Sequence, residues 1–150
     1  SPTKLGSILG VSPVQGKIFK DQFLRNVPSL GALLSKVEDA ASRGYIRGLD
    51  GRRLYVRHAH AALNTLLQGG GSIVCKQWSV NMDRSIRSEK LKANLVNTVH
   101  DELQYESHMD DAERLVELSS LTIKEAGRML KLRLPMDAEA KIGMSWADTH

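Results

Sequence analysis

The apolar residues of the first forty positions recur at helical spacing, with two interruptions. Leu5, Ile8 and Leu9 share one face of a first helix, and Gly10 and Pro13 break the pattern. A second helix is predicted from near Val14 to just before Pro28, because the residue that precedes a proline avoids helical geometry. Its apolar side chains are Ile18, Phe19 and Phe23. This part of the chain is therefore predicted to be helical with short breaks.

A third helix and a hairpin are predicted to follow. Ser29 is placed to cap the helix, whose apolar residues run to Val37 and whose end lies around Gly44. The segment from Tyr45 to Arg57 has the β-branched and aromatic content of two short strands. Asp50-Gly51 between them is a favoured two-residue hairpin turn, in which both positions need a positive φ.

A long helix and a second hairpin are predicted for the middle of the chain. The helix extends from about Ala59 to Glu89, and Gly69-Gly70-Gly71 interrupts its apolar pattern. Each glycine costs about 1 kcal/mol relative to alanine, so the triplet indicates either a bend or a close approach by another group. Leu95 to Ser107 carries apolar residues on both sides of Asp101-Glu102, which predicts a hairpin with the acidic pair at its turn.

The last third is predicted to form an amphipathic helix, a short strand and an irregular tail. Asp110 and Asp111 open the helix, since acidic residues favour the first turn. Its apolar stripe consists of Leu115, Leu118, Thr122, Ala126 and Met129. Leu132 to Met136 is predicted as an edge strand because it contains a proline, and Trp146 is expected to anchor the tail. Helices combined with two antiparallel hairpins predict an α+β fold with no independent second domain.

Composition and charge give a weak indication of a polyanionic partner. The 150 residues carry a formal charge of +4, and five arginines fall within fifteen residues. These are Arg43, Arg47, Arg52, Arg53 and Arg57. We expect some of the last four to contact backbone phosphates.

Cys75 is the single cysteine, and its side chain is expected to pack in the interior. A single cysteine excludes an internal disulfide and fits a reducing compartment. No apolar run reaches the roughly 18 residues of a membrane span, so no membrane partner is expected.

The candidate chemistry lies in the run Val99-His100-Asp101-Glu102-Leu103-Gln104. Two adjacent carboxylates at a tight turn are costly unless water or a cation neutralises them. Phosphoryl-transfer enzymes use such oxygen ligands to hold two Mg²⁺ ions roughly 3.5–4 Å apart. By itself, an acidic pair of this kind is more often a solvated hairpin tip.

A row of polar side chains precedes the acidic turn. It consists of Arg57, His60, Asn64 and Gln68, at spacings of three, four and four residues. One face of the long helix thus carries hydrogen-bond donors and acceptors. Such a row fits the minor groove of a nucleic acid, where purine N3 and pyrimidine O2 accept hydrogen bonds. Periodicity alone fits a solvent-facing stripe as well.

Longer runs around these residues carry a resemblance. Gly48 to Arg53, read together with His60 to Gln68, closely resembles family A DNA polymerases of short-tailed phages. Val99 to Gln104 looks like the third polymerase motif of that family. The run from Phe23 to Pro28 and the ending from Asp137 to His150 are similar to the same branch. The resemblance implies a partial polymerase palm, in which the hairpin with the acidic motif packs against several helices, including one long helix.

The resemblance also implies a division of the chain and roles in catalysis. Residues 1–44 would be helices of the junction between fingers and palm, and residues 45–150 would be the C-terminal palm subdomain. The metal ligands would be Asp101, which bridges two Mg²⁺ ions, and Glu102, which lies in their outer shell. His100 would contact the terminal phosphate of the primer. The implied activity is DNA-directed DNA synthesis by two-metal nucleotidyl transfer, in the cytoplasm of a phage-infected bacterium.

The substrates implied by the resemblance are a DNA primer/template and a dNTP. Asn64 and Gln68 would monitor the minor groove at the nascent base pair, with His60 and Arg57 nearby on primer or template. A mismatch displaces the groove acceptors, and each lost hydrogen bond costs about 0.5–1.5 kcal/mol.

Several parts of that family's polymerases have no counterpart in this sequence. They are the first aspartate motif, the fingers helix that holds the triphosphate, the thumb and the proofreading exonuclease. We therefore expect the chain to be inactive alone and to need an N-terminal polymerase chain that carries the first aspartate motif and the fingers helix. A split gene, an intein junction at Ser1 and a fragment of a longer polymerase would each account for this, and we favour the first two.

Two other functions stay open at this point. The first is a non-catalytic subunit with a palm fold that binds DNA or has a structural role. The second is a metal-dependent nuclease, which would need a further cluster such as His108, Asp110 and Asp111. Acidic residues at a helix start explain that cluster without a metal.

Overall fold

The computed structural model describes residues 2–149 and confirms the α+β class, with helices and two separate two-stranded sheets. Ser1, considered above as an intein junction, and His150, in the family-like ending, lie outside the described residues. The chain divides into two compact units. The first comprises positions 2–46 and 53–65, and the second comprises positions 47–52 and 66–149.

The first unit begins with three helices. They are α1 (Pro2–Leu9), α2 (Pro13–Asn26) and α3 (Pro28–Ala41). The predicted breaks at Gly10–Pro13 and before Pro28 are confirmed, and the Ser12 hydroxyl caps α2 by accepting from Gln15 N at 3.2 Å. A Cβ on Gly16 would lie 2.8 Å from Gly6 N. The close crossing of α1 and α2 therefore depends on glycine.

One expectation about these helices is wrong. The N-cap of α3 is Val27 and not Ser29, because Pro28 occupies the first helical position, where its missing N–H costs nothing. The apolar side chains of α2 are not covered within the described part of the chain: Phe19 is 37% exposed, Ile18 42% and Phe23 57%.

Strands β1 (Tyr45–Arg47) and β2 (Arg53–Tyr55) confirm the first hairpin but not its turn. Gly51 N–H donates to Gly48 O at 3.0 Å, and Gly48 N–H donates to Arg52 O at 2.8 Å. Gly51 has a φ of +82°, and Asp50 does not have a positive φ. The loop is thus longer than a two-residue turn, with glycine in the left-handed position.

The long helix is a single element preceded by one 3₁₀ turn. The turn, η1, spans Ala59–Ala61, and α4 spans Ala62–Glu89. The helix continues through the glycine triplet, and a Cβ built on Gly70 or Gly71 meets no atom within 4 Å. Nothing in the described residues therefore requires the close approach that these two glycines permit.

The second unit is organised around a contact between α4 and α5, which spans Met109–Met129. Its buried apolar residues are Trp78, Met82, Ile86, Leu118, Ile123 and Ala126. Trp78 Nε1 donates to Ser119 O at 3.0 Å, and Asn81 Nδ2 donates to Thr122 O at 3.2 Å. These side-chain hydrogen bonds fix the two helices against each other, and Trp78 is buried between them.

Strands β3 (Ala93–Val99) and β4 (Glu102–Ser107) confirm the second hairpin. The strands are antiparallel, and the register shifts between Leu95 and Asn97. Leu103 and Tyr105 pack against the α4–α5 core. At the open end of the hairpin, Lys92 N donates to Asp111 Oδ2 at 2.8 Å. The core therefore holds β4, and α5 is tied to the open end of the hairpin.

The end of the described chain corrects two predictions. Residues 132–136 form no strand, because the Met136 side chain turns back onto α5, where a Cβ on Gly127 would lie 2.9 Å from Met136 Cγ. Trp146 begins the short helix α6 (Trp146–Thr149) and is 60% exposed, so it does not anchor the tail by burial. None of the helices in residues 2–149 has the length and apolar content needed to cross a membrane.

Candidate active site

The β3–β4 hairpin presents Asp101 at its tip. Val99 pairs with Glu102, which leaves only His100 and Asp101 to reverse the chain. His100 has a φ of +53°, a conformation that costs a non-glycine residue about 1–3 kcal/mol and that clusters at functional sites. The Asp101 side chain is exposed. The predicted presentation of this carboxylate by a tight turn is consistent with these features.

Glu102 has a different environment from Asp101. It is the first residue of β4 and is half-buried, whereas the sequence placed both carboxylates at the turn. Gln104 Nε2 donates to Glu102 Oε1 at 2.9 Å, since residues two apart on a strand share a face. The sequence assigned no role to Gln104, although its spacing from Glu102 indicates this contact. Glu102 is therefore oriented by the protein, and Asp101 is open to solvent.

The electrostatic interactions of the hairpin agree with its packing against the α4–α5 core. Burial raises the pKa of the Cys75 thiol, and the Asp101 carboxylate raises it further. Burial also raises the pKa of Tyr105 to about 12, with a further contribution from Asp83. Cys75 is half-buried, which agrees in part with its expected packing role. The body of the hairpin thus packs against α4, and the charge at its tip acts on a residue in the middle of that helix.

One face of α4 carries Gln68, the last residue of the polar row, together with Cys75. Gln68, Gly71 and Cys75 are spaced by three and four residues and therefore share a face of the helix. Seven residues of helix span about 10 Å, so Gln68 lies about 10 Å along α4 from Cys75. The Asp101 charge contributes to the raised pKa of the Cys75 thiol. Asn64 is one turn before Gln68 on the same helix, and both side chains are exposed.

Arg57 and His60 lie before α4 and are exposed. His60 is in η1, and its ring stacks on the His58 ring with centroids 5.5 Å apart. The helical spacing predicted from Arg57 onward is therefore wrong before Ala62, because the chain is irregular at Arg57 and 3₁₀ at His60. Each side chain is accessible to a ligand.

Two of the candidate phosphate-binding arginines have partners within their own unit. Arg52 Nε pairs with Asp50 Oδ2 at 2.5 Å, which partly compensates the charge of that guanidinium. Arg53 Cζ lies 4.8 Å from the centroid of the Tyr45 ring, a cation–π contact worth about 0.5–1 kcal/mol at an exposed site. Arg52 is accordingly the weaker candidate of the two for phosphate binding.

The acidic residues that follow β4 have structural partners. His108 caps α5 by accepting from Asp110 N at 3.4 Å, and Asp111 accepts from Lys92 N. The interpretation of His108, Asp110 and Asp111 as a helix start is confirmed. No group of three or more His, Cys, Asp or Glu side chains among residues 2–149 is arranged to hold a metal ion.

The donor chemistry of the acidic turn still fits Mg²⁺. Carboxylate oxygens are the ligands this ion prefers, and it keeps several waters or substrate phosphates in its octahedral shell. One exposed carboxylate beside a second, oriented one is the kind of partial donor set that such a shell completes. Two protein carboxylates do not make a complete site.

Comparisons with known proteins agree on one family. The family model described as DNA polymerase family A matches residues 1–148. The chain is 33% identical over 154 residues to a DNA-directed DNA polymerase of Escherichia phage Phieco32, with 98% of this chain and 25% of that protein covered. It is 31% identical over 169 residues to the DNA-directed DNA polymerase of Escherichia phage T7, with 98% and 24% covered.

A solved structure is also similar in fold. It is the POL domain of Pol1 from M. smegmatis in complex with DNA primer-template and dNTP. The TM-score is 0.76 at 26% identity, with 84% of this chain and 24% of that chain covered. The chain thus spans about a quarter of the length of the relatives that it matches.

Proposed function

The chain belongs to DNA polymerase family A, and on this basis we propose that it supplies the C-terminal part of a palm active site for DNA-directed DNA synthesis. In this proposal residues 1–44 belong to the junction between fingers and palm, and residues 45–150 to the palm. The observation that carries it is the position of Asp101, exposed at the two-residue reversal of a hairpin whose Leu103 and Tyr105 pack against the α4–α5 core.

Asp101 and Glu102 are the proposed ligands for Mg²⁺. Asp101 would hold the metal directly, because its carboxylate is exposed at the hairpin tip. Glu102, oriented by Gln104, would act from the outer shell. Bound Mg²⁺ would supply charge stabilisation for the reacting phosphates and activation of the attacking primer hydroxyl. The remaining ligands would come from substrate phosphates, water and protein outside these residues.

The rigidity of the hairpin is the contribution of the fold to this chemistry. Leu103 and Tyr105 hold β4 against the α4–α5 core, and the open end is tied to α5 through Lys92 and Asp111. The backbone that carries the tip is therefore held in place before substrate binds, which lowers the cost of positioning the Asp101 carboxylate in the transition state. His100, held beside Asp101 in a strained conformation, would contact the terminal phosphate of the primer.

The exposed polar residues on and before α4 are the proposed DNA contacts. Asn64 and Gln68 would donate hydrogen bonds to minor-groove acceptors at the nascent pair, and a mismatch would forfeit about 0.5–1.5 kcal/mol for each bond. Arg57 and His60 would lie on primer or template. Arg53 would contact a backbone phosphate, with a smaller contribution from Arg52, which Asp50 partly neutralises.

The proposed partner is polymerase polypeptide that carries the first aspartate motif and the fingers helix. The relatives that match this chain are about four times as long as the part it covers. Two carboxylates cannot by themselves bind two metal ions and a triphosphate. We therefore expect no synthesis by these 150 residues alone and synthesis when that polypeptide is supplied as a second chain or as a fusion.

The test is primer extension by the completed polymerase, with wild type, Asp101→Ala and Glu102→Gln compared. A metal's charge stabilisation is worth several kcal/mol, so Asp101→Ala should slow incorporation by about a thousandfold or more. Outer-shell changes typically cost 10–100-fold, which is the range expected for Glu102→Gln. Equal extension by wild type and Asp101→Ala would reject the catalytic assignment and favour a non-catalytic DNA-binding subunit.

A further inference from the structure

The outward face of the β1–β2 hairpin carries two tyrosines that the proposed function does not use. Val56 N–H donates to Gly44 O at 3.0 Å, which places Tyr45 opposite Tyr55 in the antiparallel pair. Arg53 is two residues before Tyr55 on β2 and therefore projects from the same face. Two phenol rings and a guanidinium are thus grouped on one side of the hairpin.

The other face of the hairpin supplies the packing. Ile46 is 3% exposed and Leu54 is half-buried, whereas Tyr55 is 80% exposed. A tyrosine this exposed contributes little to the stability of the hairpin. The Tyr55 ring is therefore accessible to a ligand, and the packing of Ile46 and Leu54 on the opposite face keeps the hairpin in place.

The basic side chain beside Tyr55 is restrained. Arg53 Cζ lies 4.8 Å from the centroid of the Tyr45 ring, diagonally across the two strands. This contact limits where the guanidinium can lie and leaves its charge at the surface. A cation held next to an exposed aromatic ring matches the two parts of a nucleotide, an anionic phosphate and a base with a π-face.

We infer that this face binds the single-stranded part of a nucleic acid, with a base stacked on Tyr55 and a backbone phosphate at Arg53. Base stacking on aromatic side chains tolerates every base, so this contact suits a strand whose sequence varies. The inference rests on the proposed function, because it assigns the unpaired portion of a primed template to Tyr55. A protein partner, which Tyr and Arg also fit, is the competing occupant.

The experiment measures binding of the full chain to labelled strands by fluorescence anisotropy. The probes are an oligothymidylate, an abasic strand of the same length and a blunt duplex, and the variants are Tyr55→Ala, Tyr55→Phe and Arg53→Ala. Stacking predicts that Tyr55→Ala weakens binding to the oligothymidylate by about tenfold and leaves the abasic strand unaffected. Tyr55→Phe keeps the ring and should bind like wild type. Arg53→Ala should weaken both strands and reduce the salt slope by about one.

Three results would overturn the inference. They are the absence of oligothymidylate binding by wild type, wild-type affinity in Tyr55→Ala, and an equal loss on the thymidylate and abasic strands. A protein partner predicts the first or second of these. Failure of the proposed function has a separate signature, since Asp101→Ala would then extend primers normally while the loss caused by Tyr55→Ala on the oligothymidylate persisted. Thermal unfolding followed by circular dichroism checks that each variant is folded.

Discussion

Gly71→Ala tests whether the open face of α4 is kept open for DNA. Gly71 shares that face with Gln68 and with Cys75, the neighbour of Asp101, and a Cβ built on it meets no atom within 4 Å. Removing a helix-interior glycine gains about 1 kcal/mol. In the isolated chain no contact opposes this gain, so Gly71→Ala should be more stable than wild type by about that amount.

The same methyl group should impair synthesis in the completed polymerase. If minor-groove atoms approach α4 between Gln68 and Asp101, the added carbon displaces the primer terminus. A displacement of about 1 Å can cost as much as a hundredfold in rate. Gly71→Ala should therefore extend primers about ten- to a hundredfold more slowly than wild type while unfolding at a higher urea concentration.

Two glycine variants serve as matched controls. Gly70 also has open space, but it lies on a different face of α4, so Gly70→Ala should gain similar stability and keep its activity. On Gly127 the new Cβ would lie 2.9 Å from Met136 Cγ, and overpacking of about 1–3 kcal/mol should cancel the helical gain. Urea unfolding and primer extension are measured on all three. Normal extension by Gly71→Ala would refute the approach of DNA to this face.

Three further outcomes follow from named contacts. Gly16→Ala should destabilise the chain by about 1–3 kcal/mol in urea unfolding, because its Cβ would lie 2.5 Å from the backbone oxygen of Pro2. An unchanged urea midpoint would contradict the close crossing of α1 and α2. Asp101→Asn should speed alkylation of Cys75 in mildly alkaline buffer, since it removes a charge that raises the thiol pKa; an unchanged rate would place the carboxylate elsewhere. The free energy of unfolding should fall as pH rises from 10 to about 12, because the raised pKa of Tyr105 keeps its phenol protonated in the folded state and not in the unfolded state. Tyr105→Phe has no such proton and should lose less stability over that range.

The sequence predicted most elements because their signals are local. Gly10, Pro13 and Pro28 break apolar periodicity where the helices end, and Asp101-Glu102 divides two apolar runs where β3 gives way to β4. The α3 cap was missed because Pro28 and Ser29 are competing start signals, and proline has the stronger backbone constraint. The predicted strand at 132–136 failed because Met136 packs beside Gly127 of α5, a tertiary contact that the apolar content of this short run does not reveal.

For the candidate site, the sequence supports a choice of residues and says little about their arrangement. Asp101 was selected through the resemblance of Val99 to Gln104 to the third polymerase motif, because an acidic pair at a turn is by itself more often a solvated hairpin tip. The nearness of Asp101 to Cys75 could not be predicted, since it depends on how Leu103 and Tyr105 seat the hairpin on the core. The contact between Arg53 and Tyr45 could not be predicted either, because it depends on the register of β1 and β2. The predicted two-residue turn would have shifted that register.

The most direct test of Asp101 as a metal ligand is cation rescue of Asp101→Cys in the completed polymerase. A thiolate is a soft ligand that binds Mg²⁺ poorly and thiophilic cations such as Cd²⁺ well. The assignment predicts loss of single-nucleotide incorporation by Asp101→Cys with Mg²⁺ and partial recovery when Cd²⁺ is added, with no recovery by Asp101→Ala. Wild-type rates for Asp101→Cys in Mg²⁺, or equal losses in both variants with either cation, would contradict it.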